Sequence, residues 1–242
     1  ALCKTTCGEK NVAVGDCALQ NNTEAWYNVA VGYAGLQSNT TGEHNIAIGR
    51  QPLNFNTTGM MNIGIGRQAL YQNTTGKCNT AVGVYAMNTS TTGCFNQAIG
   101  HSAMYNNKAG GYNNAMGCGS LYCSNSGYHN NAFGYEALRE TWHGSGNQAI
   151  GRQALACTTT GNCNDAMGYR ALYKNTTGGS NVAIGAFAMS EAAGGDYNVA
   201  VGKYAANKNE STRNTALGYY ALYSNTAYDN VAVGYSANAG NT

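Results

Sequence analysis

The chain has 242 residues, a formal net charge of +2 and only 10% charged residues, where globular proteins usually carry about a quarter. Its 13 basic and 11 acidic residues are scattered singly, which argues against nucleic-acid binding, because that needs clustered Lys and Arg. No apolar run approaches the ~20 residues of a membrane span. The 33 Gly with a single Pro exclude collagen and proline-rich linkers. We expect neither a nucleic-acid partner nor membrane insertion.

One pattern, Asn-x-Ala-(apolar)-Gly, recurs along the whole chain. The first eleven intervals between its copies are 17 residues and the last two are 16. The full unit reads N-x-A-(V/I/M/L/F)-G-x-x-A-(L/M)-x-x-N-T-T-G-x-x, and the Ala is replaced once, by Gly64. A fixed internal period of this kind indicates a stacked repeat architecture. The copies begin at Asn11, Asn28, Asn45, Asn62, Asn79, Asn96, Asn113, Asn130, Asn147, Asn164, Asn181, Asn198, Asn214 and Asn230.

Each unit, taken in chain order, predicts two short strands and two corners. The segment N-x-A-V-G has the residue types of a strand, and its Gly begins a corner. A second strand is expected over x-A-L-x-x. The NTTG segment makes the other corner, with Gly supplying a positive φ and Asn and Thr bonding to nearby backbone. Seventeen residues are too few for a pair of helices.

Stacking of these units predicts an all-β fold, a parallel β-solenoid or β-roll of about 14 coils. Each strand pairs with its copy one coil along, about 4.8 Å away, which gives a length on the order of 65 Å. The opening Asn residues are expected to form a ladder, each amide bonding to the next, with the Gly column turning the chain beside it. The ladder residues singled out are Asn28, Asn45, Asn62, Asn79, Gly32, Gly49, Gly66 and Gly83.

Two assignments of the strand faces are open. If the Ala column faces inward, strand alternation turns the next column outward, and all fourteen of its residues are apolar. Identical chains would then cover that stripe. If this column and the Leu/Met column face inward instead, a single chain could stand alone. We favour the outward assignment and therefore an oligomer.

The chain starts and stops within a repeat, and neither end shows the atypical unit that usually caps a repeat array. We accordingly expect a single repeat domain over residues 1–242. Its partners would be identical chains, arranged side by side as a trimer or end to end as a filament.

The repeats resemble those of known surface proteins. The Asn-Val-Ala-Ile-Gly copy at Asn181 to Gly185 resembles the head repeats of trimeric autotransporter adhesins. The longer form, from Asn175 to Gly185, is similar to repeats in bacteriophage tail fibres. The resemblance implies a left-handed parallel β-roll, three chains side by side, on a bacterial surface or virion.

Nine cysteines suggest an oxidising, extracellular setting if they pair. Cys78 and Cys94 are 16 residues apart, nearly one coil, which favours a disulfide; free thiols and a metal site are the alternatives. An odd thiol would remain for a link to another chain. The expected pairs are Cys78–Cys94, Cys118–Cys123, Cys157–Cys163 and one pair among Cys3, Cys7 and Cys17.

Two further sets of residues are candidate surface sites. Asn-x-Ser/Thr sequons place glycosylation candidates in the NTTG corner, unless that segment is only turn chemistry. Eighteen tyrosines offer rigid contact area for sugars or a neighbouring fibre, unless they merely suit strand surfaces. The glycosylation candidates are Asn39, Asn56, Asn73 and Asn175, and the binding candidates are Tyr33, Tyr135, Tyr169, Tyr219 and Tyr235.

The sequence favours a non-enzymatic structural or adhesive fibre segment without cofactor or catalytic residues, located outside the cell. Uniform coils leave no long loop from which to build a pocket. The first alternative is a carbohydrate- or receptor-binding tail-fibre tip or adhesin head, with cell-surface glycans as partners. The remote alternative is a polysaccharide-degrading tailspike that uses Glu136 and Glu140 as paired carboxylates.

Overall fold

The computed structural model describes residues 1–4 and 6–240. Contacts divide the chain into two units, residues 1–126 and 127–242, and each unit is a parallel β-solenoid. The prediction of an all-β parallel solenoid with a 17-residue period is confirmed, and the described residues contain no helix. That 1–242 is a single domain stays a prediction.

The described residues of the first unit contain seven three-residue strands, and those of the second unit contain seven more. Within each unit, each strand pairs in parallel with the equivalent strand of the next coil, as in Val29↔Ile46 and Ala30↔Ala47. The strands are β1 (Val12–Val14), β2 (Val29–Val31), β3 (Ile46–Ile48), β4 (Ile63–Ile65), β5 (Thr80–Val82), β6 (Gln97–Ile99), β7 (Asn114–Met116), β8 (Asn131–Phe133), β9 (Gln148–Ile150), β10 (Asp165–Met167), β11 (Val182–Ile184), β12 (Val199–Val201), β13 (Thr215–Leu217) and β14 (Val231–Val233).

Residues are compared below by coil position, counted from 1 at the Asn that opens each repeat. Thus Asn28 is at position 1, Gly32 at position 5, Leu36 at position 9, Asn39 at position 12 and His44 at position 17. A column is the set of residues that share one position within a unit.

The strand faces follow the favoured assignment. The Ala at position 3 is buried, with Ala30 and Ala47 both at 0% exposure, and the apolar residue at position 4 points outward. The outward column is therefore confirmed. The Leu/Met column at position 9 is nevertheless inside, so Leu36 and Leu53 are fully buried as well. The core of each coil is thus narrow, with small Ala side chains and one large residue.

The predicted second strand is wrong, because the coils have only one strand each in the residues that the structure describes. Positions 7 and 9 adopt a left-handed backbone, as at Ala34 with φ 53° and Leu36 with φ 50°, whereas a strand needs φ near −120°. The segment still pairs along the solenoid, since the Leu36 amide donates to Pro52 O at 3.1 Å. A left-handed residue costs about 1–2 kcal/mol, and full burial of a Leu side chain returns about 1.5–3 kcal/mol. Burial and pairing therefore hold the unfavourable backbone.

The two corner glycines are required for different reasons. Gly32 has φ 121°, and a Cβ there would lie 2.0 Å from Gly49 O. Gly42 in the NTTG corner has no positive φ, contrary to expectation. Glycine is needed there because a Cβ would lie 2.2 Å from Gly59 O and 2.5 Å from Asn39 Oδ1. Close approach between coils, and not backbone handedness, selects glycine at this corner.

Candidate interaction surfaces

The position 1 asparagines form a buried ladder in each unit. The Asn45 backbone amide donates to Asn28 Oδ1 at 2.9 Å, and Asn45 Nδ2 donates to Gly59 O at 2.9 Å. In the second unit, Asn164 repeats both bonds, to Asn147 Oδ1 and Gly178 O. The adjacent glycines of the first unit, Gly32, Gly49, Gly66 and Gly83, all have φ between 121° and 138°. These residues hold the coils together.

The most extensive outward feature is the strand face. Every residue at position 4 is apolar, and most are exposed: Ile48 is 39%, Met116 is 45% and Ile150 is 44% exposed. In the first four coils position 2 is also apolar, as at Ile46 and Ile63. The face therefore presents a regular, largely uncharged row of apolar side chains in each unit.

A shallow groove crosses this face in the second unit. It has a volume of about 330 Å³ and is lined by Gln148, Ile150, Asp165, Ala166, Met167, Val182 and Ile184. Asp165 is the acidic residue in this groove, which otherwise consists of apolar and amide side chains. The groove suits packing against another apolar surface better than binding a charged ligand.

A second outward feature, in the first unit, is the column at position 17. Tyr27 and His44 stack at 4.9 Å with planes 7° apart, and Phe95 and Tyr112 stack with the same distance and angle. Lys10 Nζ donates to Tyr27 Oη at 2.8 Å. Sequence reasoning did not single out this column, although the recurrence of aromatic residues just before the opening Asn is a signal that could have found it.

The predicted tyrosines all occupy position 6 of their coils, Tyr33 in the first unit and the other four in the second. Arg152 lies between two of them, with its Cζ 5.6 Å from the Tyr135 ring and 5.7 Å from the Tyr169 ring. Tyr219 and Tyr235 stack on each other at 5.3 Å. Tyr33 is 48% exposed and has no ring partner in the part of the chain that the structure describes. Tyr33 therefore keeps both ring faces free of another ring, whereas Tyr235, at 79%, is the most exposed of the five.

Unpredicted tyrosines extend the cluster around Tyr219. Tyr220 lies 4.6 Å from Tyr219 and 4.6 Å from Tyr223, and Tyr204 lies 5.0 Å from Tyr220, all between ring centroids. Partial desolvation within this cluster raises the pKa of the Tyr220 hydroxyl, and the neighbouring phenols raise it further. Tyr220 therefore stays neutral at physiological pH, and the cluster offers phenol hydroxyls and ring edges to a partner.

The glycosylation candidates are not on the surface, so their predicted exposure is wrong. Asn39, Asn56, Asn73 and Asn175 are all at 0% exposure. Asn56 Nδ2 donates to Asn39 Oδ1 at 2.8 Å and to Gly59 O at 3.0 Å. Because the acceptor nitrogen points into the coil, the folded chain offers no site for a glycan at these four residues.

The nine cysteines are unpaired thiols in the structure, so the predicted disulfides are absent from the described residues. Residues stack 17 apart, so Cys94 lies against Lys77, whose amide donates to Cys94 Sγ at 3.3 Å. Cys78 instead lies against Met61, with the two sulfurs 3.9 Å apart. The 16-residue spacing therefore places the first predicted pair in different columns.

The other predicted pairs also occupy different positions of their coils. Cys118 is at position 6 and Cys123 at position 11, whereas Cys157 is at position 11 and Cys163 at position 17. Burial raises the pKa of the Cys157 thiol, with a smaller contribution from the charge of Glu140. Cys3 and Cys7 are exposed, and the pKa of Cys17 is raised chiefly by its hydrogen bond to Asp16.

One carboxylate of the depolymerase alternative, that of Glu136, is already engaged. Glu136 Oε2 accepts a hydrogen bond from Gln153 Nε2 at 2.8 Å, and Glu136 Oε1 lies 3.9 Å from Arg139 Nε. Within residues 1–4 and 6–240, no three His, Cys, Asp or Glu residues are grouped as a metal site. No helix in the same residues has the length and hydropathy of a membrane span.

Comparison with known proteins adds no relative. No family model matches the chain, and neither a curated protein nor a solved structure matches it. Any proposal for its function therefore rests on the fold and the surfaces described above.

Proposed function

We propose that this chain is a non-enzymatic segment of an extracellular fibre or filament, which associates with identical chains and presents a repetitive polar and aromatic surface. The single observation that carries the proposal is the outward row of apolar side chains at position 4. Exposed apolar patches that are contiguous and regular mark interaction sites.

A second copy of this chain is the occupant that best fits the strand face. The row repeats at the coil spacing of about 4.8 Å, so an identical row matches its period along the whole contact. The face is nearly free of charge, so self-association brings few like charges together. The resemblance of the repeats to autotransporter adhesin heads and phage tail fibres supports the same arrangement and an extracellular location.

Sedimentation velocity of the full chain tests the proposal. We expect the wild-type chain to self-associate, and the double variant Ile48→Gln/Ile65→Gln to shift toward monomer, because two polar amides interrupt the apolar row. The matched control is Thr58→Gln/Thr75→Gln, which alters exposed residues of the NTTG corner in neighbouring coils. A wild-type chain that remains monomeric at its highest soluble concentration would refute assembly through this face.

Glycan binding is a second candidate, favoured by the tyrosines at position 6. An open ring such as Tyr33, or the Tyr135–Arg152–Tyr169 stack, offers apolar and hydrogen-bonding contacts together. Saturable binding to a cell-surface glycan, lost in Tyr135→Ala/Tyr169→Ala and kept in Thr160→Ala, would support it. Absence of binding across a broad set of bacterial polysaccharides would leave the structural role alone.

A further inference from the structure

Four sulfur-containing residues lie near one corner of the first unit, and two of their sulfurs, those of Met61 and Cys78, are in contact. Met60, Met61, Cys78 and Cys94 occupy positions 16 and 17 of three successive coils, and we call this group the sulfur corner. Met61 is 53% exposed, and the other three are partly exposed. The methionines at position 9, by contrast, are buried in the core.

The spacing of two of these sulfurs suits a shared metal ion. Met61 and Cys78 are one coil apart and share the same backbone conformation, with φ 58° and 56°. Their side chains therefore leave the chain in parallel, and Cys78 Sγ lies 3.9 Å from Met61 Sδ. An ion about 2.3 Å from each sulfur, a usual metal–sulfur distance, would subtend an S–metal–S angle of roughly 116°. That angle is close to trigonal coordination.

The chemistry of the donors selects a soft, monovalent ion. Thiolate and thioether ligands favour Cu(I), whereas Mg²⁺ and Ca²⁺ require oxygen. His44 lies one coil before Met61 in the same column and has the same backbone conformation, with φ 57°. Its imidazole, now stacked on Tyr27, would supply the third ligand by rotating out of that stack.

The surroundings are compatible with such an ion. A groove of about 330 Å³ beside Cys78, lined also by Phe95, Gln97, Tyr112 and Asn114, opens a path to the thiol. Met61 and Cys78 themselves lie at position 17, outside the outward row at position 4 used for assembly.

We propose that Met61 and Cys78, with His44 as third ligand, form a binding site for Cu(I). On binding, the Cys78 thiol loses its proton to solvent and the thiolate coordinates the metal. The oxidation state of the metal does not change. The site is independent of the proposed fibre role, because it requires only one folded unit.

A methyl NMR titration tests the site without interference from the other eight cysteines. The full chain, labelled with ¹³C at its methionine methyl groups, is titrated anaerobically with Cu(I) supplied as its acetonitrile complex. We expect the Met61 methyl resonance, assigned with Met61→Leu, to shift below one equivalent. In Cys78→Ser the shift should disappear, whereas Cys118→Ser, which removes an exposed thiol of the same unit, should retain it.

Two further measurements test the contributions of the individual ligands. The affinity lost in Met61→Leu should exceed the roughly 10–100-fold typical of an outer-shell partner, and His44→Gln should weaken binding less than Cys78→Ser. If Cys78→Ser fails to fold, protection of Cys78 from alkylation by Cu(I), compared in wild type and Met61→Leu, replaces it. An unshifted Met61 methyl group, or an equal shift in Cys78→Ser, would overturn the proposal.

Discussion

Two buried polar columns in the same coils differ in how regularly the same residue type recurs from repeat to repeat. Position 1 is Asn in every repeat, whereas position 12 is Asn at Asn56 and Asn73 but Ser at Ser90. Both columns are at 0% exposure at these residues. The difference lies in what each side chain holds, and it separates residues that the fold requires from residues that it tolerates.

The position 1 asparagine bonds to backbone in two coils. Asn62 Oδ1 accepts from the Asn79 backbone amide at 3.0 Å, and Asn62 Nδ2 donates to Gly76 O at 2.8 Å. Loss of the side chain leaves the buried Asn79 amide without its acceptor. No shorter side chain can reach both groups, which explains the strict Asn.

The position 12 asparagine serves mainly its own column. Asn73 Nδ2 donates to Asn56 Oδ1 at 2.7 Å and shares Gly76 O with Asn62 Nδ2. Where position 12 is not Asn, side-chain atoms lose hydrogen-bond partners but backbone groups keep theirs. Among residues 1–4 and 6–240, the buried side-chain atoms without a partner all lie at position 12 of their coils: Asn73 Oδ1, Ser90 Oγ, Asn107 Oδ1, Ser124 Oγ, Thr158 Oγ1 and Asn175 Oδ1.

The largest expected effect is that of Asn62→Ala. We expect it to lower the free energy of unfolding by about 3–5 kcal/mol, because several buried groups lose their partners together. Urea unfolding followed by circular dichroism measures the change. The control is Gln72→Ala at an exposed site nearby, which should stay within about 0.5 kcal/mol of wild type.

A smaller loss, about 1–2 kcal/mol, is expected for Asn56→Ala. Asn73 Nδ2 and Gly59 O each keep a second partner in this variant, since Gly76 O and Asn45 Nδ2 remain. The same urea titration compares the two Asn→Ala variants directly. Equal losses of unfolding free energy in Asn56→Ala and Asn62→Ala would contradict the distinction between positions 1 and 12.

Restoring Asn at position 12 should stabilise the chain against unfolding. Ser90→Asn supplies a donor to the unpartnered Asn73 Oδ1, and we expect a gain of about 1 kcal/mol. Thermal unfolding of Ser90→Asn and of the control Ser90→Ala measures this gain. A lower melting temperature for Ser90→Asn than for Ser90→Ala would show that the coil has no room for the longer side chain.

The smallest effect is expected for Gly64→Ala. This variant tests whether side-chain packing, rather than hydrogen bonding, makes the coil that begins at Asn62 sensitive to substitution. Gly64 has no positive φ, and its nearest neighbour to an added Cβ is Ala69 O at 3.2 Å. Gly64→Ala should therefore stabilise by up to about 1 kcal/mol through the unfolded state. Gly66→Ala is the contrasting control, because its φ is 122° and its Cβ would lie 2.7 Å from Gly83 O. Melting temperatures that fall equally in both variants would contradict this account.

Much of the fold was predictable because the repeat displays its own chemistry. Apolar, Ala and Asn columns can be read directly from the 17-residue period, and strand alternation then assigns their faces. The left-handed residues at positions 7 and 9 were not predictable, because Ala34 and Leu36 carry no local preference for that backbone. Neighbouring coils impose it through burial and hydrogen bonds.

The sites were less predictable than the fold. The triplet Asn39-Thr40-Thr41 is the same whether its Asn faces solvent or the core, so burial of the sequons could not be inferred. Cys78 and Cys94 show how finely the period matters, since one residue moves a side chain into another column. The contact between Met61 and Cys78 follows from the 17-residue period, but only once position 17 is known to point outward.

The coil that begins at Asn198 has 16 residues, and its inner contacts survive. Asn198 Nδ2 donates to Ser211 O at 2.9 Å, just as Asn181 Nδ2 donates to Gly195 O at 2.7 Å. One residue is therefore removed from the NTTG corner without shifting the columns on either side. For protein engineering, this corner is the place to graft a peptide or tag, whereas a one-residue change within a strand would turn its side chains to the opposite face.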